Sequence, residues 1–116
     1  MRHLILIAAV LAVATAADAK TVDKVAQGKA FAIEACSACH QVQPGQKPPP
    51  PVHDANFDED VRAPSFMEIA RSHGADKDYL RKHITDPAWP MRQQLFDEYY
   101  LDDIIAYIRS LGPAGK

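Results

Sequence analysis

Cys36-Ser37-Ala38-Cys39-His40 holds both cysteines of this 116-residue sequence and one of its five histidines. The spacing is C-x-x-C-H, the attachment signature of c-type haem. Two thiols separated by two residues can reach the two vinyl groups on one edge of a porphyrin, and the following imidazole is then carried toward the iron. On this reading Cys36 and Cys39 form the covalent links and His40 is the proximal iron ligand, its second ring nitrogen free to donate to a backbone carbonyl. Three other readings use the same residues. A disulfide between Cys36 and Cys39 leaves His40 without a reason. A thioredoxin-like redox pair belongs at a strand-to-helix junction, whereas this pair follows a helical pattern. A zinc site needs further ligands at short spacing, and there is no second C-x-x-C.

Working outward toward the amino terminus, Met1-Arg2-His3 is a short basic start and Leu4 to Ala17 is an apolar run. Ala17-Asp18-Ala19 is a small-x-small cleavage pattern. Residues 1–19 therefore read as a secretory signal peptide cut before Lys20, and residues 20–116 as one domain. The apolar run is shorter than the about 20 residues a membrane span needs, so no stable membrane anchor is expected after cleavage; a retained N-terminal anchor is the alternative. A domain of this size buries only about 60–65% of its unfolded surface, and a large apolar cofactor would supplement its core. With a net charge of -2 the chain lacks the basic footprint of a nucleic-acid binder.

The rest of the pattern is helical, with no convincing alternating strand. Val22 to Cys36 is the first helix. Residues 44–63 form a proline-rich insertion, with Pro44, Gly45, Pro48 to Pro51 and the acidic Asp58-Glu59-Asp60; it reads as a polyproline-like surface loop. Ser65 to His73 is a second helix with Ser65 and Glu68 in a capping box. Asp76 caps a third, which Asp86-Pro87 stops near Thr85. The segment Ala88 to Phe96 reads as a structured loop. Asp97 is the expected cap of a last helix whose apolar stripe is Tyr100, Leu101, Ile104, Ile105, Ile108 and Leu111. The acidic pairs Asp97-Glu98 and Asp102-Asp103 suit that helix's amino-terminal end, and with Asp58 to Asp60 they offer a docking face for a basic partner.

From Val22 to Leu111 the chain resembles the class I c-type cytochromes. The likeness is carried by Gly28 eight residues before Cys36, by the C-x-x-C-H itself, and by the Tyr107 to Leu111 ending of the last helix. It implies an all-α cytochrome c fold, three to four helices around one covalently bound haem c, with crossing N- and C-terminal helices in contact at Gly28 and Tyr107. Family members often carry an aromatic residue four before the first cysteine; here that position is Ala32, with Phe31 beside it. The family's Gly-Pro-x-Leu element corresponds to Pro64-Ser65-Phe66, delayed by the insertion: the Pro64 carbonyl would hold His40 and Phe66 would wall the haem. Pro44 and the run at Pro48 are the competitors for that carbonyl. Trp89 would donate to a propionate or be buried in the core, and Tyr79 and Leu80 would complete the cavity.

For the sixth iron position the residues offer Met67, Met91, His53, His73 and His83. Met91 lies in the proline-constrained loop where the family places its ligand, although the family's order is Met-Pro and this chain has Pro90-Met91. Met67 has the helix position of a core filler. His40 and Met91 are the expected axial pair, facing each other across a cavity. The function implied is one-electron transfer in the bacterial periplasm, without enzymatic turnover. Its partners would be redox proteins, a dehydrogenase as donor and an oxidase or reductase as acceptor in a respiratory chain. The chain would act as a monomer or as the haem subunit of a larger dehydrogenase or oxidase complex. A ligand-sensing haem protein with an open sixth site is the remaining alternative.

Overall fold

The computed structural model describes the backbone of residues 15–113 and the side chains of residues 24–113. In chain order the elements are α1 (Thr15–Ala35), β1 (Val52–Asp54), β2 (Glu59–Val61), α2 (Phe66–His73), α3 (Lys77–Thr85) and α4 (Glu98–Ser110). The fold is mostly helical, and its principal contact is α1 against α4. No described helix is long and apolar enough to cross a membrane. Of the leader, residues 1–14 lie outside the described residues. The first helix begins earlier than the apolar spacing suggested, running unbroken from Thr15 through Ala19-Lys20. Ala16, Ala17 and Ala19 are the strongest of helix formers, which favours that continuation.

Gly28 sets how closely α1 and α4 approach. A Cβ there would lie 1.9 Å from the carbonyl oxygen of Asp103 and 2.9 Å from Cβ of Tyr107. This is the Gly28–Tyr107 contact the resemblance implied. Beneath the crossing, Leu101, Ile104, Ile105 and Ile108 of α4 pack with Ala32 of α1, Phe66 and Ala70 of α2, and Leu80 of α3. Tyr100 and Leu111, at the ends of the expected stripe, are only half-buried, Tyr100 against the Phe31 ring.

Capping fixes where the short helices start. Ser65 Oγ accepts from the Glu68 amide at 3.1 Å, and the Glu68 carboxylate accepts from the Ser65 amide at 2.7 Å. These bonds hold the Glu68 carboxyl below its usual range. A depressed carboxyl contributes stability above its unfolded value, and the contribution is lost as pH falls through the folded one. Ser65→Ala removes half of the box. Denaturant unfolding should show a loss of about 1 kcal/mol, and in an NMR titration the Glu68 carboxyl should move up toward its ordinary value. Asp76 caps α3 through the Tyr79 amide at 2.9 Å. Asp97 occupies the corresponding position of α4 in extended backbone, but its side chain makes no capping bond. The start of α4 is held instead by Arg81 of α3, whose guanidinium forks between Glu98 and Asp102.

Two other features depart from the sequence pattern. The second half of the proline-rich insertion is an antiparallel hairpin, with Val52 opposite Val61 and Asp54 opposite Glu59. Strands of three residues are too short for a period of two to declare itself. Asp54 organises the turn: it is buried and accepts from the Asn56 amide at 2.9 Å, an Asx turn. The pair Asp102-Asp103 also divides. Neighbours on a helix point about 100° apart, so Asp102 faces Arg81 while Asp103 is turned into the α1–α4 crossing and is fully buried.

Candidate functional site

The C-x-x-C-H segment follows directly from the end of α1. The Cys36 amide still donates to Ala32 in helical fashion at 2.9 Å. The amides of Cys39 and His40 then both turn back onto the Cys36 carbonyl, at 3.2 and 2.9 Å. Both thiols are free, Cys36 half-buried and Cys39 exposed. Burial, aided by the charge of Cys39, pushes the Cys36 thiol up to about 11. A thiol used for disulfide exchange is shifted the other way.

His40 is oriented by a single contact. Its Nδ1 lies 2.7 Å from the carbonyl oxygen of Pro64. A carbonyl only accepts, so Nδ1 carries the proton and Nε2 is left with its lone pair available to a metal. Pro64 thus supplies the carbonyl in preference to Pro44 or Pro48. Phe66 lies against the imidazole, ring centres 5.5 Å apart and tilted by 57°, and touches Tyr107 on its other side at 6.4 Å.

The chain around His40 is braced by residues that carried no signal in the sequence. Gln46 accepts from the Val42 amide at 2.8 Å and donates to the His40 carbonyl at 3.3 Å, while Gln41 donates to the Gln46 carbonyl at 2.9 Å. The Tyr107 hydroxyl donates to the Val42 carbonyl at 2.7 Å. That bond ties α4 to the segment following His40, so the helix crossing and the site are positioned together. Glutamines in a loop have no spacing rule to betray them; only the helical register of Tyr107 was readable.

Met91 and Trp89 are carried on the segment between α3 and α4, which Gln93 anchors by donating to the Thr85 carbonyl at 3.1 Å. The Met91 amide donates to Ala88 at 3.2 Å, closing a turn across the cis Trp89–Pro90 bond. Met91 is half-buried. Trp89 is 60% exposed, so it does not belong to the core, and Leu95 is 90% exposed. No ring contact or hydrogen bond joins Met91 or Trp89 to His40 among the described residues. The other ligand candidates are placed elsewhere. His73 and His83 stack on opposite faces of Tyr79, at 3.7 and 3.9 Å. His53 is in the hairpin beside Asp60 and Asp58. Met67 packs against the core and also lines an open groove of about 400 Å³ beside Cys39, with Gln41, Pro48, Pro49 and Arg62. The lining of that groove includes neither His40 nor Met91. It is built where the proline-rich segment stands beside α2, and it is not the cavity expected between the axial pair.

Comparison with known families gives a match to Cytochrome c over residues 25–112. The chain belongs to the cytochrome c family, whose members bind haem c covalently and transfer electrons through its iron. No curated protein and no solved structure matches the chain. The residues present fit such a cofactor. The thiols are unpaired at the required spacing, and the imidazole presents Nε2.

Proposed function

We propose that the protein is an exported one-electron carrier, holding its haem through thioethers to Cys36 and Cys39 and its iron between His40 and Met91. The observation that supports this most is the 2.7 Å contact from His40 Nδ1 to Pro64. It fixes both the tautomer and the plane of the ring, which is what an axial ligand requires before the metal arrives.

When bound, the haem supplies a one-electron couple at its iron. The chain's own residues do the rest. Pro64 raises the basicity of His40 by accepting the hydrogen bond that Nδ1–H donates. Phe66, tilted against the ring, covers one side of the imidazole. Met91 offers a thioether, a soft neutral ligand that favours the reduced iron and raises the potential. The bond from Tyr107 to Val42 ties α4 to the segment that would hold the iron through His40. Leader removal after Ala19 would release the chain in the periplasm, where partners of the dehydrogenase and oxidase kinds exchange electrons with it. This reading assigns electron transfer and no enzymatic turnover.

Met91→Ala tests the ligand set. The variant should retain covalent haem, lose the sulfur-to-iron band at the red edge of the ferric spectrum, and show a lower potential. Met67→Ala should leave both unchanged. If Met67→Ala abolishes the band and Met91→Ala does not, the ligand assignment is wrong.

A further inference from the structure

The acidic docking face that the sequence offered does not form. Asp103 is buried, and Asp102 and Glu98 share the guanidinium of Arg81. Asp58 and Asp60 flank His53 at the hairpin. Two cations lack such partners. Neither Arg62 nor Arg71 is in an ion pair among the described residues, and both line the groove beside Cys39.

The lining says what chemistry the groove takes. Its apolar part is Pro48, Pro49 and Met67, and a methionine adapts to whatever covers it. Arg62 gives Nη1 to the Pro49 carbonyl at 3.3 Å, which ties the guanidinium to the proline-rich segment. Its donors on Nε and Nη2 have no partner among the described residues. Such a planar fork matches a carboxylate. Glu68, the one carboxylate of the lining, already accepts from the Ser65 amide at 2.7 Å in capping α2. Cys39 lines the same groove and is exposed. Its Sγ is one of the two atoms through which the chain would hold haem c. Whatever fills the groove therefore stands against a side chain covalently continuous with the group that carries the electron.

We propose that this groove is where an acidic segment of a redox partner docks, its carboxylates on Arg62 and Arg71 and the electron passing beside Cys39. The inference rests on the carrier reading and names the partner's chemistry at that same site. The step is a one-electron transfer. Ferrous iron becomes ferric, the partner's acceptor gains the electron, and no bond forms or breaks and no proton moves.

The test uses the reduced, haem-loaded protein at an ionic strength of about 0.1 M, where charges more than about 10 Å apart are largely screened. Two one-electron oxidants are compared by stopped flow, the anion ferricyanide and the cation tris(phenanthroline)cobalt(III). Arg62→Gln with Arg71→Gln should slow ferricyanide about fivefold and leave the cobalt complex no slower. Arg62→Lys with Arg71→Lys keeps both charges and should stay within about twofold of the unaltered chain. Lys24→Gln removes a charge that α1 places about 18 Å from Cys36, and its effect should be under about twofold. A hexaglutamate peptide should slow the ferricyanide reaction of the unaltered chain and move the amide NMR signals of residues 62–71, and should do neither to the Gln pair. The inference is overturned if ferricyanide is unaffected by the Gln pair or if both oxidants slow alike. It is also overturned if the Lys pair loses as much as the Gln pair, because Arg62 is then only a brace for Pro49. Lys24→Gln slowing ferricyanide as much as the Gln pair overturns it too, the effect then following net charge. Should the Gln pair fail to fold, the peptide titration of the unaltered chain decides alone: signals moving at residues 62–71 support the groove, and signals moving elsewhere or not at all overturn it. A haem-loaded protein that yields its electron to neither oxidant refutes the carrier reading. One that reacts with both but ignores Arg62 and Arg71 refutes this inference only.

Discussion

Replacing Cys36 and Cys39 together by alanine should yield an exported chain with no acid-stable haem and no cooperative unfolding transition. The expected effect is large because the domain is small. Whole-domain stabilities are about 5–15 kcal/mol, and a domain near 100 residues buries too little surface to have much in reserve. The core consists of one layer under the α1–α4 crossing, with Trp89 and Leu95 outside it. A covalently held macrocycle adds apolar surface that the chain itself does not provide, and with the proposed ligation it would join α1 to the segment carrying Met91. Circular dichroism and haem staining after denaturing electrophoresis are the measurements. A double variant that keeps its helices and unfolds at the wild-type denaturant concentration would show that the cofactor is not needed for the fold.

The second large effect should come from one methyl group. In an exposed helix Gly→Ala stabilises by about 1 kcal/mol, but at Gly28 the added carbon would stand 1.9 Å from the Asp103 carbonyl oxygen. That atom belongs to the backbone of a helix and cannot rotate aside. α4 would have to retreat, loosening the hydrogen bond from Tyr107 to Val42 and the packing of Phe66 on His40. Gly28→Ala should therefore destabilise by about 3 kcal/mol or more in denaturant unfolding of the haem-loaded protein. The sign is decisive. A stabilised variant would mean that the helices do not cross at this point.

Much of the site was legible because it follows from spacing. The C-x-x-C-H segment and the capping box at Ser65 are local patterns whose rival readings need partners the chain does not offer at short spacing, while Gly28 and Tyr107 were legible through the family likeness. Pro64 was legible only through the family likeness, since nothing in its neighbours says which carbonyl a distant histidine will meet. The features that escaped are those decided by packing. The hairpin at Val52–Val61 is too short to show a period. Trp89 looks like a core residue by composition, yet the turn at Ala88–Met91 holds it outward. Asp103 reads as half of a solvated acidic pair, and only the direction of its side chain, set by its register on α4, sends it inward. Gln41 and Gln46 brace the proximal segment from loop positions that no sequence rule distinguishes from solvent-facing glutamines.

The processed protein, reduced without oxygen and then exposed to carbon monoxide, gives the most direct test that this chain is an electron carrier with both axial positions filled from its own residues. The account predicts a low-spin reduced spectrum that carbon monoxide leaves unchanged. A prompt spectral shift on adding the gas would mean that the iron has an open face, and would contradict the pairing of His40 with Met91.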